Sequence, residues 1–79
     1  MNKILQFDQK LDATGLACPL PILRAKKALA SMESGEVLFV IATDGGSIRD
    51  FTAFAKQTGH TLEESNVQEE SYYFWLRKS

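Results

Sequence analysis

The spacing of hydrophobic residues changes from one segment of the chain to the next, and this change separates strands from helices. Apolar and polar residues alternate over Gln9–Ala13, which predicts a first strand that Phe7 is placed to extend on the same face. Apolar residues then recur every three or four positions over residues 21–32, which predicts an amphipathic helix. Residues 36–42 follow Gly35, contain a continuous apolar run and predict a buried central strand.

The second half of the chain predicts one more helix and two more strands. Helical spacing returns over Ser47–Thr58 and ends at Gly59, which predicts a helix of about three turns. Residues 61–64 then show a weak strand alternation, and the largely aromatic residues 72–76 show a strong one. The polar residues 66–71 lie between them, so we expect two antiparallel strands joined by a loop.

The order strand, helix, strand, helix, strand, strand predicts an α/β fold. Because a strand–helix–strand crossover is nearly always right-handed, we expect the first two strands to be parallel. Two helices on one face then predict a two-layer sandwich with a four-stranded mixed sheet. The other face, with Tyr73 and Trp75, is expected to be at least partly open. At 79 residues the chain is long enough for one core and too short for two, which predicts a single domain over residues 1–79.

The composition is that of a globular protein, and the net charge argues against one class of function. Hydrophobic residues make up 44% of the chain and charged residues 24%, so we expect folding without a metal or cofactor. A net charge of −1 argues against non-specific nucleic-acid binding, which needs a basic surface, and no direct nucleic-acid partner is expected. The basic residues Arg24, Lys26 and Lys27 are interpreted as a solvated helix face.

Cysteine usage and the hydrophobic profile predict a cytoplasmic location. A single cysteine excludes an internal disulfide and therefore a disulfide-stapled secreted scaffold. The first eight residues lack an apolar stretch long enough for a signal peptide. No later apolar run approaches the length needed to span a membrane, so no membrane partner is expected.

Cys18 is the strongest candidate for chemistry because it precedes Pro19 where a turn gives way to a helix. Proline restricts the residue before it to extended geometry, which suits an N-cap, and Pro19 then takes the first helical position. Pro21 has no N–H, so Leu20 becomes the main donor to the Cys18 sulfur. The N–H groups and partial positive charge of a helix start favour the thiolate, the reactive form.

Two alternatives remain open at this position. Leu20 also precedes a proline, so the regular helix can start at Pro21, which weakens the effect of the helix dipole on Cys18. Cys18 can also be a small buried apolar residue, which is a common role of unpaired cysteine.

The glycine-containing segment 44–47 before the second helix has two interpretations. Glycines and helix N–H groups can bind anions, but this segment lacks the Gly-Lys-Ser/Thr ending of a phosphate-binding loop and the spaced glycines of a dinucleotide-binding motif. We interpret it as an ordinary turn, with Ser47 and Asp50 forming a helix start that resembles a capping box. Nucleotide binding is not predicted.

Two further features carry weaker signals. His60 is the only histidine, which excludes zinc sites built on histidine pairs, and no metal is predicted. A Cys18–His60 pair lacks a third residue at a recognisable position to orient it, so His60 is interpreted as a structural or surface residue. The aromatic run 72–75 has no flanking basic sheet face, so strand packing is favoured over base stacking.

Taken together, these residues resemble the TusA or SirA-like family of small sulfur-carrier proteins over nearly the whole chain. Segment 11–21 is similar to the family signature, a Cys-Pro-x-Pro motif after Gly-Leu. Residues elsewhere also fall where similar ones occur in that family: Lys26, Lys27, residues 44–50 with Arg49, Gly59, His60, Arg77 and Lys78. The resemblance implies a two-layer α/β sandwich similar to the C-terminal domain of a bacterial translation initiation factor.

The resemblance also implies an activity and its partners. It implies a sulfurtransferase acting as a protein sulfur carrier, in which Cys18 accepts sulfane sulfur as a persulfide. A cysteine desulfurase or rhodanese is implied as donor, another protein as acceptor, and no cofactor is implied. Pro19 and Pro21 would hold the helix start in shape. Because no second cysteine can resolve the persulfide within the chain, transfer is expected to be intermolecular.

The sequence departs from the family pattern at two positions. The member that supplies sulfur for tRNA thiolation carries an acidic residue where this chain has Leu20, and proline is common where Gly45 stands. The partners of tRNA thiolation are therefore not inherited. The alternative function is a non-catalytic regulatory or interaction module that binds protein or RNA, and a thiol-redox sensor ranks last because no resolving cysteine is present.

Overall fold

The computed structural model describes residues 6–79, and these residues form a four-stranded sheet with two helices. The first five residues, which belong to the opening segment and to the predicted domain 1–79, lie outside the described residues. In chain order the elements are β1 (Gln9–Ala13), α1 (Leu20–Ala30), β2 (Val37–Ala42), α2 (Ser47–Thr58), β3 (Thr61–Gln68) and β4 (Ser71–Arg77).

The sheet has the order β1-β2-β4-β3 and contains both parallel and antiparallel pairs. Strand β1 pairs with β2 in parallel, with Ala13 opposite Ala42 at their carboxyl ends. Strand β4 pairs antiparallel with β2 and β3. Helix α1 packs on β1 and β2, and α2 packs on β3 and β4. The predicted two-layer α/β sandwich, with a mixed sheet and a parallel first pair, is confirmed.

One hydrophobic core joins the two helices to the same face of the sheet. Phe51 of α2 stacks on Phe74 of β4 with ring centroids 4.6 Å apart, and both side chains are fully buried. Burial of this apolar surface is the main contribution to stability in a chain of this size. The core cluster comprises Ala13, Ala25, Leu29, Met32, Leu38, Val40, Ala42, Phe51, Phe54, Ala55, Phe74 and Leu76.

The opposite face of the sheet carries a second group of aromatic rings. Phe39 lies 4.7 Å from Trp75 and 6.0 Å from Tyr73, measured between ring centroids. Phe7 stacks on Phe39 at 5.1 Å and remains 46% exposed. The predicted open face with Tyr73 and Trp75 is therefore present, while Phe74 of the same aromatic run is in the core.

Helix α1 and strand β3 differ from their predicted bounds. Helix α1 begins at Leu20 and ends at Ala30, whereas the spacing predicted residues 21–32. Strand β3 continues to Gln68, so the predicted loop over residues 66–71 is wrong and only the turn at Glu69 and Glu70 remains. Backbone pairing with β4 holds this edge strand while most of its side chains stay in solvent, so the hydrophobic pattern gave no signal.

The predicted capping box at the start of α2 is also wrong. Gly46 occupies the N-cap position and no side chain caps the helix. Ser47 is buried and its hydroxyl has no hydrogen-bond partner, so it cannot act as a cap. The turn is closed by Asp44, whose carboxylate accepts the Gly46 N–H at 3.0 Å and whose carbonyl accepts the Ser47 N–H at 3.1 Å. Asp50 is therefore available for another contact.

Two leucines of α1 provide a test of the core. Leu29 is 1% exposed and Leu23 is 53% exposed, so the same substitution removes buried area at one position only. We expect Leu29→Ala to lower the free energy of unfolding by about 2–5 kcal/mol. We expect Leu23→Ala to change it by about 0.5 kcal/mol or less. Urea denaturation measures both, and equal effects would contradict the assignment of the buried face.

The end of α2 provides a second test. Gly59 has a φ of 84°, the left-handed conformation that side chains with a Cβ disfavour. We expect Gly59→Ala to destabilise the protein by about 1–2 kcal/mol. Gly45 lies outside that conformation, and an added Cβ would meet only the Tyr72 hydroxyl at 4.0 Å. Gly45→Ala should leave the stability unchanged or raise it by up to about 1 kcal/mol. A smaller loss of stability from Gly59→Ala than from Gly45→Ala would contradict the left-handed conformation assigned to Gly59.

Candidate functional site

Two loops meet at the edge of the sheet where the parallel strands β1 and β2 end. The loop after β1 leads through Cys18 into α1, and the loop after β2 leads into α2. The Gly15 N–H donates to the Thr43 hydroxyl oxygen at 2.9 Å and so ties the two loops together. The Asp12 carboxylate accepts the Thr14 N–H at 3.0 Å and fixes the first turn after β1. Cys18 is therefore held near the start of α2.

Cys18 is exposed, which excludes the alternative of a small buried apolar residue. Cys18 and Pro19, joined by a cis peptide bond, lie in the turn that precedes α1. An exposed thiol at this position can reach the reactive atom of another protein. The carrier activity implied by the resemblance requires this exposure.

The predicted role of Cys18 as the N-cap of α1 is wrong. Pro19 is the N-cap residue, and no side chain donates or accepts a capping hydrogen bond there. The Leu20 N–H, predicted to serve the sulfur, donates to the Ala17 carbonyl oxygen at 2.8 Å. Pro19 therefore lies one position earlier than predicted, and Pro21 is the second residue of the helix. The alternative that the regular helix starts at Pro21 is also wrong, because α1 begins one residue earlier, at Leu20.

Cys18 lines a groove between the start of α1 and one side of α2. The groove has a volume of about 190 Å³. Its walls are mainly apolar, and Asp50 supplies a carboxylate beside the thiol. The lining residues are Cys18, Pro19, Ile22, Asp50, Ala53, Phe54 and Gln57.

The charges around this groove favour the thiol over the thiolate. The pKa of Cys18 is raised, mainly because the thiol hydrogen bonds to Asp50, with further contributions from desolvation and the negative charges of Asp50 and Asp44. The predicted stabilisation of the thiolate by the helix start is therefore wrong. The Leu20 N–H donates to the Ala17 carbonyl oxygen, and the carboxylates of Asp50 and Asp44, which follow β2, favour the thiol.

His60 does not form a pair with Cys18. Its Nδ1 atom accepts the Ser79 N–H at 3.1 Å, and it is not among the residues that line the groove. Burial, with a smaller contribution from Lys78, lowers the pKa of His60, so the ring is neutral near pH 7. These contacts agree with the interpretation of His60 as a structural or surface residue.

The basic residues of α1 lie away from the groove at Cys18. Arg24 and Lys27 line a separate concave surface between α1 and β1, with Gln9 and Leu11 opposite them. Both side chains are exposed, as is that of Lys26, in agreement with the interpretation of a solvated helix face. None of these three residues lines the groove at Cys18.

Residues 6–79 contain neither a cluster of metal ligands nor a membrane-spanning helix. Within that range, no three histidine, cysteine, aspartate or glutamate residues are arranged to hold a metal ion. The same range contains no helix with the length and hydrophobicity needed to cross a membrane.

Asp50 is the residue of this groove that sequence reasoning did not identify. The spacing of Asp50 from Ser47 predicted a capping box, so Asp50 was assigned to the helix start and not to the site at Cys18. The available signal was topological, because Cys18 follows β1 and Asp50 follows β2, and the carboxyl ends of adjacent parallel strands lie at the same edge of a sheet.

Comparisons with known proteins agree with the fold and with the family resemblance. The family described as sulfurtransferase TusA matches residues 9–78. The sulfur carrier protein TusA of Allochromatium vinosum is 63% identical over 73 residues, which are 92% of this chain and 96% of that protein. A Bacillus subtilis relative, YrkI, is 47% identical over 74 residues, which are 94% of this chain and 99% of that protein.

A solved structure shows the same architecture. The crystal structure of a SirA-like protein from Desulfitobacterium hafniense superposes with a TM-score of 0.78 at 29% sequence identity. The match covers 89% of this chain and 96% of the other. The family match over residues 9–78 and the identity to the Allochromatium protein lead to one conclusion. The chain belongs to the TusA family of sulfurtransferases.

Proposed function

We propose that this protein is a sulfur carrier that accepts sulfane sulfur as a persulfide on Cys18 and passes it to an acceptor protein. The observation that carries the proposal is an exposed cysteine beside a groove, in a chain that is 63% identical to a sulfur carrier protein. Exposure is needed because both the donor and the acceptor must reach the same sulfur atom.

The transfer needs only the Cys18 sulfur and a persulfide on the donor. The Cys18 thiolate attacks the outer sulfur of the donor persulfide, a new sulfur–sulfur bond forms on Cys18, and the donor cysteine leaves as a thiolate. An acceptor thiolate then attacks the outer sulfur of Cys18, and the Cys18 thiolate is released. Each step exchanges one sulfur–sulfur bond for another, so no external oxidant or reductant is consumed.

A cysteine desulfurase or a rhodanese is the proposed class of donor, and the proposed location is the cytoplasm. The surface next to Cys18 includes Leu20, which is 43% exposed. An exposed apolar side chain at this position favours contact with an apolar patch of a partner. The acidic residue that the tRNA-thiolation carrier has there would favour a basic partner.

Pro19 and Pro21 are proposed to shape the start of α1 and not to react. Pro21 is buried in the first turn of the helix, and the Pro19 carbonyl oxygen accepts the Leu23 N–H at 3.1 Å. Proline suits position 21 because its fixed φ matches the first turn of a helix, where no N–H donor is needed.

The proposed function predicts that wild-type protein gains one sulfur atom when incubated with a donor. Cysteine plus a cysteine desulfurase tests one donor class, and thiosulfate plus a rhodanese tests the other. Intact-protein mass spectrometry without reductant measures the gain. Cys18→Ser replaces only the reactive sulfur by oxygen, so it is the matched control and should gain nothing.

Failure to take up sulfur from either donor would contradict the carrier proposal. If neither donor adds sulfur to a wild-type thiol that alkylates readily, the carrier proposal is wrong. The alternative of a non-catalytic interaction module would then be favoured, because it needs the fold but not the Cys18 sulfur.

A further inference from the structure

Asp50 lies on α2 and faces the thiol of Cys18 across the groove that both residues line. It belongs to the first turn of α2, where its N–H donates to the Gly46 carbonyl oxygen at 3.0 Å. Its side chain is half-buried among the apolar walls provided by Ile22, Ala53 and Phe54. A carboxylate in such surroundings interacts more strongly with a neighbouring S–H group than it would in open water.

No cation neutralises this carboxylate among the described residues. The one ion pair found within residues 6–79 joins Arg77 to Glu63 at 2.7 Å. Over the same range, no N–H group of another residue donates to the Asp50 side chain. Arg49, the neighbouring cation on α2, is exposed. Besides Asp50, the polar side chains that line the groove are the Cys18 thiol and the Gln57 amide, and Gln57 lies about two helical turns from Asp50 along α2.

The other charged groups near Cys18 have separate roles. Asp44, in the loop after β2, is engaged with the Gly46 N–H, and Asp12 of β1 accepts from Thr14. Helix α1 has no acidic residue in its first turn, and its cations Arg24 and Lys27 line a different surface. Asp50 therefore has the dominant influence on the protonation of this sulfur.

We propose that Asp50 is a positioning residue of the carrier, whose carboxylate accepts the Cys18 S–H and holds the sulfur in its protonated form in the free protein. The proposal rests on the function proposed above, in which Cys18 is the carrier thiol. A protonated sulfur reacts slowly with oxidants and alkylating agents in solution. Its small thiolate fraction is correspondingly basic and is a stronger nucleophile towards a donor persulfide.

The test is the pH dependence of Cys18 alkylation by iodoacetamide, a neutral reagent whose approach is not steered by charge. Asp50→Asn keeps the shape of the side chain but removes the charge and weakens the acceptor. We expect the midpoint of its rate profile to move to lower pH than that of the wild type. At about pH 7 the variant should be alkylated roughly two- to fivefold faster than the wild type. This increase in rate is smaller than the increase in thiolate fraction, because a less basic thiolate is a weaker nucleophile.

The high-pH limit separates this role from a structural one. Where both thiols are fully ionised, Asp50→Asn should react more slowly than the wild type, so the two profiles cross. A variant that merely loosens the fold would react faster at every pH. Asp44→Asn is the matched control and should give a smaller shift, and Asp50→Glu should return the midpoint towards the wild-type value.

Two results would overturn the inference: an Asp50→Asn profile that coincides with the wild-type profile, or a larger shift from Asp44→Asn. This readout involves no sulfur transfer and is therefore independent of the proposed function. If the wild type takes up sulfur but Asp50→Asn leaves the alkylation profile unchanged, only the role of Asp50 fails. If the profile shifts but no donor adds sulfur, only the carrier proposal fails.

Discussion

The parallel pairing of β1 with β2 is the constraint on which the rest of this structure depends. It places the carboxyl ends of both strands at one edge of the sheet, so the loop with Cys18 and the loop before α2 must meet there. The Gly15 to Thr43 hydrogen bond fixes their contact. Because both helices pack on one face, the start of α1 and one side of α2 then line the groove beside the thiol. The position of the thiol is thus a property of the topology.

The electrostatics of the thiol follow from the same arrangement. A helix start alone would favour the thiolate, but the Leu20 N–H is already used by Ala17, and the helix start offers the sulfur no capping bond. Asp50, brought across the groove by α2, favours the thiol instead. The hydrogen bond to Asp50 is thus the largest contribution to the raised pKa of Cys18. The result suits a carrier whose sulfur should react with a docked partner and remain protected in solution.

Much of the fold could be predicted because its signals are local. The spacing of Ala25 and Leu29, the run in β2 and the helix stop at Gly59 each reflect the burial or backbone preference of single residues. The full length of β3 could not be predicted from the sequence, because its exposed polar residues are held by backbone pairing with β4 and not by burial. The candidate site was likewise only partly predictable from the sequence. The motif identified Cys18, whereas its protonation depends on Asp50, which only the tertiary structure brings close.

The central claim is that Cys18 itself holds the transferred sulfur, and its most direct test follows a labelled sulfur atom. A donor persulfide made with heavy-isotope sulfur is mixed with the protein, which is then alkylated, digested and analysed by peptide mass spectrometry. The account predicts one labelled sulfur on the peptide that contains Cys18 in the wild type and none in Cys18→Ser. A label carried equally by both proteins, or by neither, would contradict the account.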